Sequence, residues 1–250
     1  ADELGVEPGP ELRSVEQRIL AHDPTLSGAQ PSPGRRRPTV PARLATFVGR
    51  QRELSELDAA FDAHRLVTVT GAGGAGKTTT ALEYARRCGD AGGPTVSLVE
   101  LAPVGDDEAI VRALARGIGL PDVDQATFVP GSPSGAPLDR VVDALAATDA
   151  LVVLDNCEHV IAPVAAMVHR ILSECPAVRI VATSREPLGV PGELVYALPP
   201  MPQSDAVELF LQRAIEHGVP GLTADHRVVS LCDRLDGLPL AIELAAARLR

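Results

Sequence analysis

The sequence lacks tryptophan and is poor in aromatic residues, lysine and positive charge. Of its 250 residues, 45% are hydrophobic but only 2% are aromatic, so the core must be built from Leu, Val, Ile and Ala. The shortage of aromatic side chains argues against a base-stacking surface for single-stranded nucleic acid. The formal net charge of −10 argues against binding of DNA phosphates by this segment alone, because such binding requires a basic surface. The aliphatic content excludes intrinsic disorder for most of the chain.

Cysteine is also scarce, and no long apolar run is present. None of the four cysteines forms a Cys-x-x-Cys pair, and neither they nor the six histidines have the spacing of zinc ligands. No apolar run approaches the roughly 20 residues that cross a bilayer, and the acidic start Ala1-Asp2-Glu3 is unlike a signal peptide. We therefore expect a cytoplasmic protein with reduced, buried cysteines, no membrane partner and no metal other than Mg²⁺.

The chain contains 22 arginines but a single lysine, Lys77, which lies in the motif Gly-x-x-x-x-Gly-Lys-Thr at 71–78. The apolar, β-branched run 66–70 predicts a strand before this loop, and a helix is predicted after it. Glycines let successive N–H groups face one anion, Lys77 supplies a charge to the β- and γ-phosphates of ATP, and Thr78 offers a hydroxyl to Mg²⁺. The residues expected to hold the phosphates are Gly71, Gly73, Gly74, Ala75, Gly76, Lys77, Thr78 and Thr79.

The hydrophobic pattern predicts a P-loop NTPase of the α/β class, with a parallel sheet sandwiched by helices and a small helical subdomain after it. Continuous apolar runs predict strands that are covered on both faces. The strands are predicted at 66–70, 95–101, 151–154 and 178–182, and the intervening helices near 81–88, 108–118, 138–147 and 160–172, with a Pro-, Gly- and Ser-rich loop at 121–137.

Four segments are expected along the chain. Residues 1–26 contain one short amphipathic helix with nothing of their own to pack against, and 27–45 form a Pro- and Arg-rich linker. The nucleotide-binding α/β domain is expected at 46–203, and a helical subdomain at 204–250, with one apolar stripe formed by Val207, Phe210, Leu211 and Ile215. The last helix is predicted to begin after Pro239 and to run into Arg250 without a stop signal, so we expect the chain to be a fragment of a longer protein.

Acidic and basic residues at the ends of two predicted strands complete the candidate site. Asp155 ends the strand 151–154, where its carboxylate would hold Mg²⁺ together with Thr78; the alternative is that it only caps the next helix. Asn156 cannot act as a base, so either Glu158 orients the attacking water or turnover is slow. Arg185 follows the strand 178–182 and would distinguish ATP from ADP at the γ-phosphate, unless it forms only a surface salt bridge. The predicted catalytic residues are thus Lys77, Asp155, Glu158 and Arg185.

Two further motifs, together with the loop, resemble NB-ARC domains of the STAND class of ATPases. Phe47-Val48-Gly49-Arg50 lies upstream of the loop as the adenine-side motif does in that class, and Gly237-Leu238-Pro239 is similar to its Gly-x-Pro motif. The resemblance implies that Val48, Gly49, Arg50 and Pro239 contact adenine or ribose.

The similarity extends to AfsR-like regulators of the SARP family of actinobacterial transcription factors. Residues 4–24 resemble the end of their bacterial transcriptional activation domain, and 154–159 and 183–188 are similar to their sequences as well. The resemblance implies an ATP/ADP-binding switch with weak ATPase activity, from the centre of a transcriptional activator of secondary metabolism. It also implies DNA-binding and activation domains upstream, helical repeats downstream, self-association, and contact with DNA and RNA polymerase only through the full-length protein.

Two other functions remain open at this point. A scaffold that holds nucleotide without hydrolysing it is compatible with Asn156, at a position where a second acid is common in NB-ARC domains. A small-molecule kinase also uses a P-loop, but it would need a substrate pocket and a lid with several basic side chains.

Overall fold

The structure, a computed structural model, describes residues 45–120 and 137–249. The predicted helix within 1–26, the predicted linker up to residue 44 and the predicted loop at 121–137, except Pro137, lie outside these residues. In chain order the elements are α1 (Gln51–Ala63), β1 (Leu66–Thr70), α2 (Lys77–Asp90), β2 (Thr95–Glu100), α3 (Asp107–Gly117), α4 (Pro137–Ala146), β3 (Ala150–Asp155), a 3₁₀ turn (Cys157–His159), α5 (Ile161–Glu174), β4 (Val178–Ser184), β5 (Glu193–Ala197), α6 (Gln203–Glu216), α7 (His226–Arg234) and α8 (Pro239–Ala246).

The five strands form one parallel sheet in the order β2-β3-β4-β1-β5. Thr70 at the end of β1 lies opposite Ser184 at the end of β4, and Leu154 of β3 lies opposite Ala182. Because all the strands are parallel, their carboxyl ends meet at one edge of the sheet, where ligands bind in open α/β folds. The loop after β1 and the acid that ends β3 therefore lie on either side of β4.

The two faces of the sheet pack against different helices. Leu151 and Val153 join a core with α1 and α2, whereas Ala150, Val152 and Leu154 join a second core with α3, α4 and α5. This alternation follows from the two-residue period of a strand, and both faces are apolar because both are covered. The predicted α/β class with a sandwiched parallel sheet is confirmed.

The three helices after the sheet have an apolar cluster of their own. Phe210 of α6 and Ile242 of α8 are buried at its centre. The expected stripe on α6 continues through Ala214, which is 0% exposed, and not through Ile215, which is 54% exposed. The prediction for Ile215 was therefore wrong: in the last turn of α6 the buried position is Ala214, and the side chain of Ile215 is exposed to solvent.

Three other features of the elements differ from the sequence-based expectation. The helix α1 and the edge strand β5 had no predicted counterpart. The last helix does not run to Arg250 but ends at Ala246, where the N–H groups of Arg248 and Leu249 switch to carbonyls three residues back, at Ala245 and Ala246. Such bonds tighten the end of a helix and close it. Among the helices that the structure describes, none is long and apolar enough to cross a membrane.

Candidate nucleotide-binding site

The glycine loop links β1 directly to α2. Gly74 and Gly76 have φ angles of 77° and 90°, a region that residues with a side chain rarely adopt. Gly76 is the N-cap of α2, which begins at Lys77. Left-handed residues turn neighbouring N–H groups to a common side, and the start of the helix adds unpaired N–H groups and the positive end of its dipole. The loop therefore has the geometry of a phosphate cradle.

The single lysine lies across this loop. The ammonium nitrogen Nζ of Lys77 donates hydrogen bonds to the carbonyl oxygens of Gly71 at 2.9 Å and Ala72 at 3.1 Å. An ammonium group has three donors on a flexible stem, so it can exchange these carbonyls for phosphate oxygens.

A carboxylate and two hydroxyls from three different elements meet beside the loop. Oδ1 of Asp155, at the end of β3, accepts hydrogen bonds from Thr78 Oγ1 at 2.6 Å and from Thr183 Oγ1 of β4 at 2.5 Å. Thr183 Oγ1 also accepts a hydrogen bond from the backbone N–H of Asn156 at 2.9 Å. The α5 helix has Val160 as its N-cap, so Asp155 does not cap it. Hydroxyl and carboxylate oxygens are the ligands that Mg²⁺ prefers, and the pair Thr78 and Asp155 fits this ion.

Glu158 and Arg185 form an ion pair across the ends of β3 and β4. Arg185 Nε lies 3.2 Å from Glu158 Oε1; the arginine side chain is 69% exposed and the glutamate side chain 21%. With its amide oriented by its hydrogen-bond partners, Asn156 donates to Oε1 and Oε2 of the same carboxylate at 3.1 and 3.2 Å. Asn156 has a φ of 64°, and asparagine is one of the few residues that tolerate this conformation. The charges of Glu158 and Arg185 are thus paired with each other.

Cys157, between these acidic groups, is a neutral thiol. Burial raises its pKa to about 12, and the nearby carboxylates of Asp155 and Glu158 add to the shift because they oppose a second negative charge. The cysteine therefore contributes packing and no charge to the site.

The segment upstream of α1 is joined to the loop through Arg50. This side chain is buried, and its guanidinium donates to Glu53 Oε1 at 2.7 Å, to the carbonyl of Pro199 at 2.7 Å and to the carbonyl of Ala75 at 3.1 Å. Gly49 precedes it with a φ of 69°. Three N–H groups of the guanidinium thus donate to the protein itself, at a residue that the resemblance assigns to adenine or ribose.

The start of α8 packs directly on the glycine loop. The N–H of Leu240 donates to the carbonyl of Gly74 at 3.2 Å. A Cβ added to Gly74 would lie only 2.9 Å from the Cβ of Leu240, and one added to Gly76 would lie 3.5 Å from Cγ of Pro239. The first turn of α8 therefore lies directly against the glycine loop, and the absence of a side chain at Gly74 permits this close approach.

Between the loop and the helical segment lies a cleft of about 690 Å³, a volume typical of sites for small molecules. Four of the predicted residues do not line the cleft: Gly49, Gly71, Ala75 and Asp155, the last of which is hydrogen-bonded to the lining residue Thr78. The predicted residues that line it are Val48, Arg50, Gly73, Gly74, Gly76, Lys77, Thr78, Thr79, Glu158, Arg185 and Pro239.

Several residues of the cleft were missed by the sequence analysis. Thr183 had a signal, since it directly follows the apolar run 178–182, but its contact with Asp155 depends on the order of the strands. At the far end, Arg213 Nε pairs with Glu243 Oε1 at 3.0 Å, and its Nη2 donates to the carbonyl of Thr46 at 3.2 Å. These two charged residues lie on different helices, and no local pattern marks them.

Comparison with known proteins agrees with this geometry. A family profile described as "AAA domain" matches residues 61–186. A protein named as an HTH-type transcriptional regulator from Mycobacterium tuberculosis is 41% identical over 192 residues, which cover 75% of this chain and 20% of the relative. The regulatory protein AfsR of Streptomyces coelicolor is 32% identical over 272 aligned positions, covering 100% of this chain and 26% of AfsR. An uncharacterised protein of Mycobacterium tuberculosis is 36% identical, covering 82% of this chain. The chain spans between a fifth and about half of the length of these relatives.

Solved structures show the same fold at low sequence identity. A STAND protein with a tetratricopeptide repeat sensor from Pyrococcus horikoshii has a TM-score of 0.57 at 19% identity, covering 83% of this chain and 31% of that protein. A Walker-type ATPase of Pyrococcus abyssi has a TM-score of 0.57 at 16% identity, covering 84% of this chain and 70% of that one. The chain, with its glycine loop, parallel sheet and sandwiching helices, has the P-loop NTPase fold and belongs to the AAA domain family.

Proposed function

We propose that this chain is an ATP- and ADP-binding switch with slow ATP hydrolysis, from the central part of a transcriptional regulator. The observation that carries the proposal is the hydrogen bond between Thr78 and Asp155 beside the glycine loop. It brings a hydroxyl and a carboxylate together where Mg²⁺ bound to a nucleotide phosphate would lie, and a loop that bound only an inorganic anion would not need them.

The nucleotide lies in the cleft with its phosphates on the loop, held by Gly71, Gly73–Thr79 and the ammonium of Lys77. Thr78 and Asp155 hold Mg²⁺, which when bound neutralises charge on the phosphate oxygens. Val48, Gly49, Arg50 and Pro239 lie on the side of adenine and ribose, as in the NB-ARC domains that the motifs resemble.

The ion pair of Glu158 and Arg185 is the part that distinguishes ATP from ADP. A γ-phosphate offers the Arg185 guanidinium a second anionic partner, and guanidinium matches phosphate oxygens well. When Arg185 turns to that phosphate, Glu158 is released and can accept a proton from the attacking water. Turnover is slow because Arg185 and Asn156 both hold the Glu158 carboxylate until then. Because ATP and ADP make different contacts in the cleft, exchange of one for the other can shift the position of α8 over the glycine loop.

A scaffold that binds nucleotide without hydrolysing it is the second candidate. The two hydrogen bonds that Asn156 donates to Glu158 favour it, since they hold the carboxylate that would have to act as the base.

The other parts of the regulator are proposed on its likeness to AfsR and to the HTH-type regulator. We place residues 1–26 at the end of an activation domain, 27–45 in a linker, 46–203 in the nucleotide-binding domain and 204–250 in a helical NB-ARC-type subdomain. A SARP-type regulator of this build contacts DNA and RNA polymerase through its other domains, associates with itself and works in the cytoplasm.

The first experiment identifies what the purified protein carries. Nucleotide released by denaturation is separated by chromatography for the parent and for Lys77→Ala. We expect close to one ADP per parent chain and little in the variant, because the ammonium is the main charge on the phosphates. The matched pair Asp155→Asn and Asp149→Asn tests the Mg²⁺ ligand: only the first should weaken Mg-ATP binding, since Asp149 is an exposed residue before β3.

Hydrolysis is tested in single-turnover assays with Glu158→Gln, and with Glu174→Gln at the exposed end of α5 as control. Loss of a general base lowers the rate by about 10²–10⁴-fold. A parent rate of phosphate release that is already negligible and that Glu158→Gln leaves unchanged would favour the scaffold. A parent protein that carries no nucleotide and shows no thermal shift with Mg-ATP would contradict the switch altogether.

A further inference from the structure

Arg50 is a charged side chain that is almost completely inside the protein, with 2% of its surface exposed. A buried charge is costly unless it is paired, and here Glu53 lies 2.7 Å away with its own side chain 5% exposed. Two further N–H groups of the guanidinium donate to main-chain carbonyls, those of Pro199 and Ala75. One side chain thus joins the glycine loop to the connection between β5 and α6.

The contact with Ala75 fixes the orientation of a peptide group in the loop. In a planar trans peptide the C=O and the following N–H point in opposite directions. The carbonyl of Ala75 accepts from the guanidinium of Arg50, so the N–H of Gly76 points to the opposite side of this peptide group. Gly76 lines the cleft and Ala75 does not, which agrees with this direction.

The main chain of Arg50 has a second long-range attachment. Its N–H donates to Oδ2 of Asp205, in the first turn of α6, at 3.1 Å. A Cβ added to the preceding Gly49 would lie 2.2 Å from the same oxygen. Arg50 itself has a φ of 62°, a strained conformation for a residue with a long side chain, and such strain is typical of functional positions.

We propose that Arg50 is a positioning residue that aims the Gly76 N–H at the bound phosphates and couples this donor to the connection at 198–202. The inference rests on the proposed function. It differs from the contact with adenine or ribose that the sequence motif implies, because the guanidinium acts on the phosphate end of the nucleotide and through the protein. The affinity of the loop for phosphate then depends on the position of α6, which follows the connection at 198–202.

The test uses Arg50→Lys, which keeps the charge beside Glu53 but cannot present two separate nitrogens to the two carbonyls. Arg52→Lys, two residues along the chain with a side chain that is 87% exposed, is the matched control. Binding of Mg-ATP and of base-free Mg-tripolyphosphate is measured by competition against a fluorescent ADP. We expect Arg50→Lys to weaken both by the same factor, about tenfold, the scale of one hydrogen bond from a charged donor.

A second measurement does not depend on nucleotide. Amide hydrogen exchange of the nucleotide-free protein should become faster in Arg50→Lys both in the glycine loop and at Leu198 and Met201, the two residues of 198–202 that have an N–H, and should not change in Arg52→Lys. If Arg50→Lys does not fold, the neutral double variant Arg50→Gln/Glu53→Gln, which leaves no buried charge, takes its place, with the same expected pattern.

The outcomes separate the hypotheses. Weaker ATP binding with unchanged tripolyphosphate binding would overturn the proposal in favour of an adenine or ribose contact. Unchanged binding and exchange, or failure of both variants to fold, would overturn it in favour of a purely structural role. A parent protein that binds neither probe would overturn the proposed function and this inference with it, whereas a parent that binds both leaves the proposed function standing whatever the variants do.

Discussion

Thr68 and Thr183 are buried threonines on neighbouring strands, but their hydroxyl groups differ in environment. Thr68 Oγ1 on β1 has no hydrogen-bond partner among the residues that the structure describes. Thr183 Oγ1 on β4 has two, the Asp155 carboxylate and the Asn156 N–H. A buried polar group without a partner costs free energy, whereas a paired one stabilises.

The same substitution at the two positions should therefore have opposite effects. We expect Thr68→Val to raise the free energy of unfolding by about 1 kcal/mol, because an unpaired hydroxyl is replaced by a methyl group. Thr183→Val should lower it by about 2–3 kcal/mol, since it removes a bond to a charged acceptor and leaves a backbone N–H unpaired. Urea unfolding followed by circular dichroism measures both. Effects of the same sign would contradict the assignment of partners.

At the scale of elements, the contact between α8 and the glycine loop depends on the absence of one side chain. Gly74→Ala would bring a Cβ to 2.9 Å from the Cβ of Leu240 and place a side chain at a φ of 77°. We expect the start of α8 to move, the melting temperature to fall and the N–H of Leu240, which donates to Gly74, to exchange faster.

Two glycines separate the clash from the other costs of this substitution. Gly92→Ala carries the backbone strain alone, because Gly92 has a φ of 73° and nothing within 4 Å of an added Cβ. Gly73→Ala adds a methyl group to the same loop, also with nothing within 4 Å. Strain at a positive φ costs about 1–2 kcal/mol. If Gly74→Ala is no more destabilising than Gly92→Ala, α8 does not pack on the loop as described.

The elements that the sequence predicted are those with a strong local signal. The strands β1 to β4 and the helices between them could be predicted because their largely buried residues form apolar runs. The edge strand β5 could not: none of its residues is fully buried, and its run begins with Glu193, whose carboxylate accepts N–H groups of the preceding loop. The α1 helix was also missed, because its apolar side chains are few and lie among charged residues, so the local signal is weak.

The contacts of the candidate site likewise include some that the sequence could predict and some that it could not. The proximity of Thr78 and Asp155 could be predicted, since parallel strands end at one edge. The partners of Arg50 could not, because Pro199 and Asp205 lie 149 and 155 residues away in sequence and only the folded chain brings them together.

For the whole molecule, buried thiol and phenol groups predict a loss of stability at alkaline pH. The pKa of Cys157 is raised from 9.0 to about 12, and burial also raises the pKa values of Tyr84 and Tyr196. The unfolded thiol loses its proton near pH 9 and the folded one near pH 12, so its contribution is fully present below pH 9 and is lost as the pH rises to 12.

At pH 10.5 this difference amounts to about 2 kcal/mol for Cys157 alone. We expect the free energy of unfolding in guanidinium, measured with a reducing agent present, to decrease by at least this amount between pH 8.5 and 10.5. In Cys157→Ala the decrease should be smaller by the same amount. An equal slope in parent and variant would show that the thiol ionises as easily inside the protein as outside it.

The strand order also determines when the phosphate loop can form during protein synthesis. Leu66 of β1 lies opposite Ile180 of β4 and Glu193 of β5, so both neighbours of this strand are translated more than 100 residues after it. At about 5–20 residues per second, β1 remains unpaired for roughly 5–20 s, whereas β2 and β3 can already pair with each other. Nascent chains that stop before β4 would carry Lys77 but no site, together with an apolar strand that chaperones must shield.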